Sequence, residues 1–341
     1  MLKVRKKMCK FSVIIPVYNM EKTLERCLMS LKNQVFTDFE AIIVDDGSFD
    51  KSREICDNFI KDSRFKYYFK ENGGLVSAVS YGIRFCHSEY ICFLDADDFL
   101  GDKFLYNFNL YIEKHDYDII SMGFYYYKDN SCKEFRLKEN NIKGMEIIND
   151  YIFTDNLALS NNFFVARWNK AYKFELIKKI SNDYKKFVGL NTGEDSIFNF
   201  FALNENPNVF ICDSVNQYYY DISNDSMTRK TKDYFSFTNE IEYLNNTIVN
   251  FKSKYNCQCV NYLLNNIIFM IGMNYINGYM YKKNAYKNIK KITKNDLFHK
   301  ALCYLMEKNE LNFKVKLKFY MLKLRLIRMY ILFYKFYNFI K

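Results

Sequence analysis

Residues 91–98, ICFLDADD, put Asp95, Asp97 and Asp98 directly behind four consecutive apolar side chains. At about 4 Å and a near-surface dielectric, one like-charge pair costs on the order of 4 kcal/mol. Solvent, a helix N-terminus or a divalent cation has to offset that repulsion. A second acidic pair, Asp45-Asp46, follows the apolar run FEAIIV and precedes Gly47-Ser48. A third, Glu194-Asp195, opens a stretch carrying Ile197, Phe198, Phe201 and Ala202. Carboxylates so placed suit two tasks: holding a cation together with an anionic ligand, and acid–base work. Only three histidines exist, His87, His115 and His299. That supply nearly excludes a Ser-His-Asp site or a His-rich zinc site, so acid–base chemistry rests on carboxylates.

The elements that must position these groups alternate between strand and helix. FSVIIPV (11–17), FEAIIV (39–44), FKYYF (65–69) and YICFL (90–94) are short, nearly continuous apolar strands. Leu24, Cys27, Leu28 and Leu31 mark one buried helix face, Ile55, Cys56, Phe59 and Ile60 a second, and Val76, Val79 and Ile83 a third behind Gly73-Gly74. Four such units imply an α/β architecture, a mostly parallel sheet covered by helices on both faces. Ligands in open α/β sheets bind beyond the carboxyl ends of the strands. There Tyr18-Asn19, Asp45-Asp46 and Asp95-Ala96-Asp97 can meet. Residues 117–137 read as strand and hairpin and 143–155 as helix. The chain is helical from about 235.

The 341 residues are 49% hydrophobic and 26% charged, which supports a large core and excludes disorder. Ten cysteines carry no CxxC or metal-ligand spacing, and no apolar h-region opens the chain. Free thiols in a reducing cytoplasm are the expectation. No apolar run is read as approaching the roughly 18 residues of a membrane span. The net charge of +11 admits nucleic acid, an anionic membrane surface or phosphorylated ligands.

PVYN (16–19), VDDGSFD (44–50), ENGG (71–74) and FLDADD (93–98) occur in the order and rough spacing of family 2 glycosyltransferases, which the chain resembles densely over 11–100 and thinly to about 230. The resemblance implies an inverting enzyme of GT-A fold, a three-layer α/β/α domain over 1–232 with a nucleotide-binding half (11–100) and an acceptor half (101–232). A helical region follows over 233–341. It implies that Asp95 and Asp97 hold Mn²⁺ or Mg²⁺ against the donor diphosphate, with Ala96 between them. Asp45 or Asp46 reaches the uracil or ribose. Pro16, Val17 and Tyr18, with Asn19, wall the base, and Gly73-Gly74 lines the pocket. Asp195 is the general base and Glu194 its neighbour. Trp168, in Trp168-Asn169-Lys170, stacks on a sugar.

Each motif has a structural alternative. Asp97-Asp98 can cap a helix at 100–114, with Asp98 favouring its dipole. Asp45-Asp46-Gly47-Ser48 can be a plain turn, Thr192-x-x-Asp195 spells a capping box, and Trp168 can be core. Two family features are missing: Val79-Ser80 stands where Arg-Asn is common, and Asp221 where Arg is common. Asn224, Ser226, Thr228, Arg229 and Lys230 resemble the loop behind the base residue. The tail, 314–341, carries Lys314, Lys316, Lys318, Lys323, Arg325, Arg328, Lys335 and Lys341 and no acid. If helical throughout, it sets Lys314, Lys318, Arg325 and Arg328 on one face, suited to an anionic membrane or to packing on the enzyme.

The reading is a metal-dependent inverting glycosyltransferase. It moves a sugar from a UDP-sugar to a hydroxyl of a surface glycan or lipid-linked acceptor, in the cytoplasm and peripherally at the inner membrane face, with no specific nucleic-acid partner. A non-catalytic sugar-nucleotide, membrane or nucleic-acid binding protein on the same scaffold is the alternative. A nucleotidyltransferase is disfavoured by the lack of a Gly-rich, Arg-containing loop after the first strand.

Overall fold

The computed structural model describes residues 8–153, 166–223, 234–280, 282–308 and 313–340. The chain divides into two compact units, Met1–Ile148 with Ala158–Asn224, and Asn149–Leu157 with Asp225–Lys341.

In the first unit β1 (Cys9–Val17), β2 (Phe39–Asp45), β3 (Phe65–Phe69) and β4 (Ser88–Phe93) form a parallel set ordered β3-β2-β1-β4. Val13, Ile14, Ile15, Ile42, Ile43 and Ile91 are wholly buried, as strands covered on both faces require. The helices α1 (Leu24–Lys32), α2 (Ser52–Phe59) and α3 (Leu75–Ile83) alternate with these strands. α1 buries Leu24, Cys27, Leu28 and Leu31, the set its spacing predicts. α2 differs from expectation: Ser52, Cys56 and Phe59 are buried, whereas Ile60 lies past the helix end and is exposed.

Beyond β4 the expected helix at 100–114 is shorter. β5 (Phe99–Leu100) comes first, and α4 runs over Phe104–Ile112. The predicted strand and hairpin are β6 (Ile119–Lys128) and β7 (Ser131–Phe135), followed by β8 (Asn140–Lys143) and α5 (Gly144–Phe153). β9 (Lys170–Lys173) lies antiparallel between β4 and β6 and joins the two halves of the sheet. Next come α6 (Phe174–Tyr184), α7 (Glu194–Asn204) and β10 (Asn208–Asp221), the last parallel to β6. β10 spends its many tyrosines by alternation. Tyr218 and Tyr220 stack on Trp168 from one face, while Tyr219 stacks on Phe99 and Tyr125 from the other.

The second unit is helical: α8 (Tyr234–Val249), α9 (Cys257–Tyr279), α10 (Ala285–Lys294), α11 (Asp296–Lys308), α12 (Phe313–Lys323) and α13 (Ile327–Ile340). Among the described residues α9 alone is long and apolar enough to cross a membrane, a length the sequence reading did not register. Asn, Gln and Tyr interrupt it, and 61% of its most apolar stretch is buried in the protein. It is therefore accounted for as the core helix of this unit. The tail is not one helix. It breaks at Leu324–Leu326, where Arg325 takes a φ of 56°. The shared face expected of Lys314, Lys318, Arg325 and Arg328 does not run through that corner.

Candidate active site

The loops behind β1, β2 and β3 are locked to one another by side chain to backbone bonds. Asn19 adopts a φ of 54°, which Asn tolerates, and its Oδ1 accepts from the Phe49 amide at 3.0 Å. Its own amide donates to Ser48 Oγ at 3.0 Å. Asp45 is buried and already used, since Oδ1 accepts from the Ser48 amide (2.8 Å) and Oδ2 from the Tyr67 hydroxyl (2.6 Å). Asp46 is buried too. Its carboxylate accepts from the amides of Gly73 (3.0 Å) and Gly74 (2.7 Å) and pairs with Lys70. Those amides open α3, so Asp46 supplies the anion that the N-terminus of that helix favours. Gly47 is required where Asn72 approaches: a Cβ would stand 2.8 Å from the Asn72 amide, at a φ of +80°. The turn role of this motif is thus present, and the expected reach of Asp45 or Asp46 to a base has to compete with protein donors. Val17 is buried, and a strand alternates its faces, so it cannot wall a base. Pro16 and Tyr18, half-exposed on the other face, can.

The loop behind β4 is built differently. Thr23 Oγ1 donates to the Ala96 carbonyl (2.8 Å), and Arg26 Nη2 to the Asp97 carbonyl (2.9 Å) and Asp221 Oδ2 (2.6 Å). The Arg26 guanidinium lies over Phe99 at 4.4 Å. Asp98 starts no helix. It is wholly buried, its carboxylate accepting from the Tyr218 hydroxyl (2.7 Å) and the Asp221 amide (2.8 Å), and so ties β10 to this loop. Ala96 is buried as the spacer. Among the described residues no side chain or amide of another residue donates to the Asp95 or Asp97 carboxylate; Asp97 takes a hydrogen bond from its own backbone amide.

Burial pushes the Asp95 carboxyl up to about 7, against the pull of Arg167 and with Asp195 and Asp97 adding to it. Burial also raises Asp97, against a hydrogen bond from its own backbone amide, with Asp221 reinforcing and Arg26 opposing. Two carboxyls destabilised as anions by burial and by neighbouring negative charge, with no donor from another described residue, fit a divalent cation. Among the described residues no three His, Cys, Asp or Glu side chains gather closely enough to cage an ion unaided. The pair therefore suits a cation shared with a ligand's oxygens.

α7 delivers the third acidic group. Gly193, at a φ of +82°, precedes it, and no side chain caps it, so the Thr192–Asp195 capping box is not formed. Asp195 instead lies 2.6 Å from Nη1 of Arg167, a guanidinium only 1% exposed. Arg167 also donates to the Tyr184 hydroxyl (3.1 Å) and sits over the Phe93 ring at 5.3 Å. Burial works against its charge, but Asp195, Tyr184 and Glu194 outweigh that and hold it protonated. Burial raises Asp195, which Arg167 and Lys170 counter. Glu194 is pushed up to about 8, by burial and then by Asp195. Lys170, wholly buried, is pushed down to about 7 by burial, with Asp195 opposing.

Trp168 is 7% exposed, its ring parallel to Tyr218 (centroids 4.4 Å) and Tyr220 (5.3 Å) and edge-on to Phe124. This is core packing, and the open sugar platform expected of Trp168 is not what the structure shows. Val79 is buried, so its position has no room for a basic contact. Asp221 takes its partner from α1 through Arg26. Asn224, Ser226, Thr228, Arg229 and Lys230 lie outside the described residues. Sequence reasoning missed Arg167, Arg26 and Lys70. Only the position of Arg167 directly before Trp168-Asn169-Lys170 pointed toward it.

Comparison with known proteins supplies the family. Residues 12–181 match the glycosyl transferase family 2 model. The glycosyltransferase EpsJ of Bacillus subtilis is 31% identical over 205 residues, 59% of this chain and 58% of that protein. GlyA of Streptococcus pneumoniae is 30% identical over a region that is 56% of this chain and 27% of GlyA. The chain thus spans well under two thirds of these two relatives. It covers 71% of TarP, the poly(ribitol-phosphate) beta-N-acetylglucosaminyltransferase of Staphylococcus aureus, at 30% identity and over 69% of its own length. In fold it resembles S. aureus TarS, solved with UDP-GlcNAc, at a TM-score of 0.63 and 18% identity, covering 94% of this chain and 89% of that one. The sheet order, the acidic loops and these likenesses converge: the chain belongs to glycosyltransferase family 2 and has its GT-A fold.

Proposed function

We propose that this protein is an inverting glycosyltransferase that moves a sugar from a UDP-sugar to a hydroxyl of a surface glycan or lipid-linked acceptor, and that it requires Mn²⁺ or Mg²⁺. One observation carries the reading. Asp95 and Asp97, at the carboxyl edge of the parallel strands, take no hydrogen bond from another described residue, while Asp195, which acts electrostatically on Asp95, is held on a buried arginine. A divalent cation held by Asp95 and Asp97 would neutralise negative charge gathering on the leaving diphosphate. Asp195 takes the proton of the acceptor hydroxyl as its oxygen attacks the anomeric carbon from the face opposite the diphosphate. The new glycosidic C–O bond forms, the anomeric C–O bond to phosphate breaks, and UDP leaves with the electron pair. Pro16 and Tyr18 offer the wall for the base. Gly73 and Gly74 shape the floor, their amides committed to Asp46.

The name of TarP, an N-acetylglucosaminyltransferase acting on poly(ribitol-phosphate), supports that sugar and a glycopolymer acceptor, and TarS was solved with UDP-GlcNAc, so UDP-N-acetylglucosamine is the first donor to test. We place its action in the cytoplasm, peripherally at the inner membrane face, a reading supported by ten cysteines without CxxC or metal-ligand spacing and by the basic tail. The test is UDP release from UDP-sugars with Mn²⁺, with and without a glycan acceptor. Wild type releases UDP, and Asp195→Asn and Asp97→Asn do not. No release from any UDP-sugar leaves a binding protein on this scaffold as the reading.

A further inference from the structure

The break in the tail gathers a surface that neither the fold nor the candidate site uses. α12 and α13 anchor themselves inward through Met321, Leu322, Ile327 and Tyr330, all buried. Their other side leaves large apolar groups in solvent: Leu324 is 62% exposed, Met329 55% and Leu332 69%, with Tyr320 and Leu326 also exposed. Tyr320 stands one turn before Leu324 on α12, and Leu332 about one turn after Arg328 and Met329 on α13, so these side chains flank one corner. Lys323, Arg325 and Arg328 are interleaved with them, Arg325 at the left-handed turn itself. No acidic residue follows Glu310 in the sequence.

Clustered exposed aliphatic side chains mark an interaction surface rather than a solvated one. Three occupants fit exposed apolar groups among cations to different degrees. A second copy of the same corner would set cation against cation without a carboxylate to pair, and so is disfavoured. Nucleic acid would use the cations but not Leu324, Leu326, Met329 and Leu332, since single-strand sites stack bases on aromatic rings. An anionic bilayer uses both, with aliphatic groups in the acyl boundary and cations among the headgroups. We infer that the α12–α13 corner, residues 320–332, is a docking surface for an anionic lipid membrane. The inference deepens the proposal of a membrane-linked acceptor and rests on it for its purpose, yet the contact stands on its own geometry.

The experiment is co-sedimentation of the full chain, without donor, on vesicles of phosphatidylcholine alone and of phosphatidylcholine mixed with phosphatidylglycerol. Two exposed-site variants are compared: Leu324→Gln with Leu326→Gln and Leu332→Gln, and Arg325→Gln with Arg328→Gln. Wild type sediments with the anionic vesicles, weakly with phosphatidylcholine, and less as salt rises. Each variant loses about tenfold or more in partition to the anionic vesicles, with unchanged UDP release. Equal binding to both vesicle types, or variants that bind as wild type does, overturns the inference. So does a change in molar mass by light scattering in the variants with vesicle binding intact, which assigns the corner to contact between copies. Vesicle binding with no UDP release from any donor instead removes the glycosyltransferase reading and leaves the docking surface standing.

Discussion

Two acidic loops flank β1 on the same sheet edge and are built in opposite ways. Behind β2, Asp45 and Asp46 are saturated by the amides of Ser48, Gly73 and Gly74, the Tyr67 hydroxyl and Lys70. Behind β4, Asp98 is saturated by Tyr218 and Asp221, but among the described residues no other residue donates to the carboxylates of Asp95 and Asp97. A buried carboxylate filled by donors is a brace, because it satisfies loop amides that would otherwise be orphaned. One left half-buried and unfilled is held ready for something that arrives later. Residue type does not separate the two cases; the supply of donors does.

The comparison is broken or sharpened by substitution, and the largest effects fall on chemistry. Asp195→Asn removes the proton acceptor and lowers glycosyl transfer by about 10²–10⁴-fold, read as UDP release with acceptor present. Asp97→Asn lowers turnover by about a hundredfold while the denaturation midpoint holds or rises, because no protein bond is lost. Asp46→Ala reverses that pattern. It breaks a buried ion pair and uncaps α3, and chemical denaturation shows a loss of about 3 kcal/mol. Asp98→Asn places an amide against the Tyr218 hydroxyl or the Asp221 amide and costs about 1–3 kcal/mol in the same measurement.

The last effect is a pH dependence. Glu194 rises from 4.5 to about 8 in the folded protein. Its folded form therefore binds a proton that the unfolded chain releases. The stabilisation is complete below 4.5 and is lost as pH rises through about 8. Glu194→Gln flattens that part of the stability–pH curve and is more stable than wild type above it. An unchanged slope places the titration elsewhere.

Much of the first hundred residues was legible because nearly continuous apolar strands and i, i+3, i+4, i+7 helix faces are local patterns. The acidic loops were legible as loops for the same reason. What each carboxylate does was not, since, the Ser48 amide apart, its donors lie 22 to 28 residues away for Asp45 and Asp46 and more than 100 for Asp98. Arg167 was illegible for a related reason. Its partner, Asp195, is on another element, and a buried arginine has no periodicity to announce it. The Thr192–Asp195 capping box failed because Gly193 in the left-handed region starts α7 one residue later than the motif requires. The tail helix failed at Leu324–Leu326, where no Gly or Pro marks the break.

The most direct measurement is the thermal shift given by UDP-N-acetylglucosamine and other UDP-sugars, with and without Mn²⁺, on wild type, Asp95→Asn and Asp97→Asn. The account predicts that a UDP-sugar raises the midpoint of wild type only with Mn²⁺, and that both variants lose the shift. A shift independent of metal, one retained in both variants, or one given by GDP-sugars alone would contradict it.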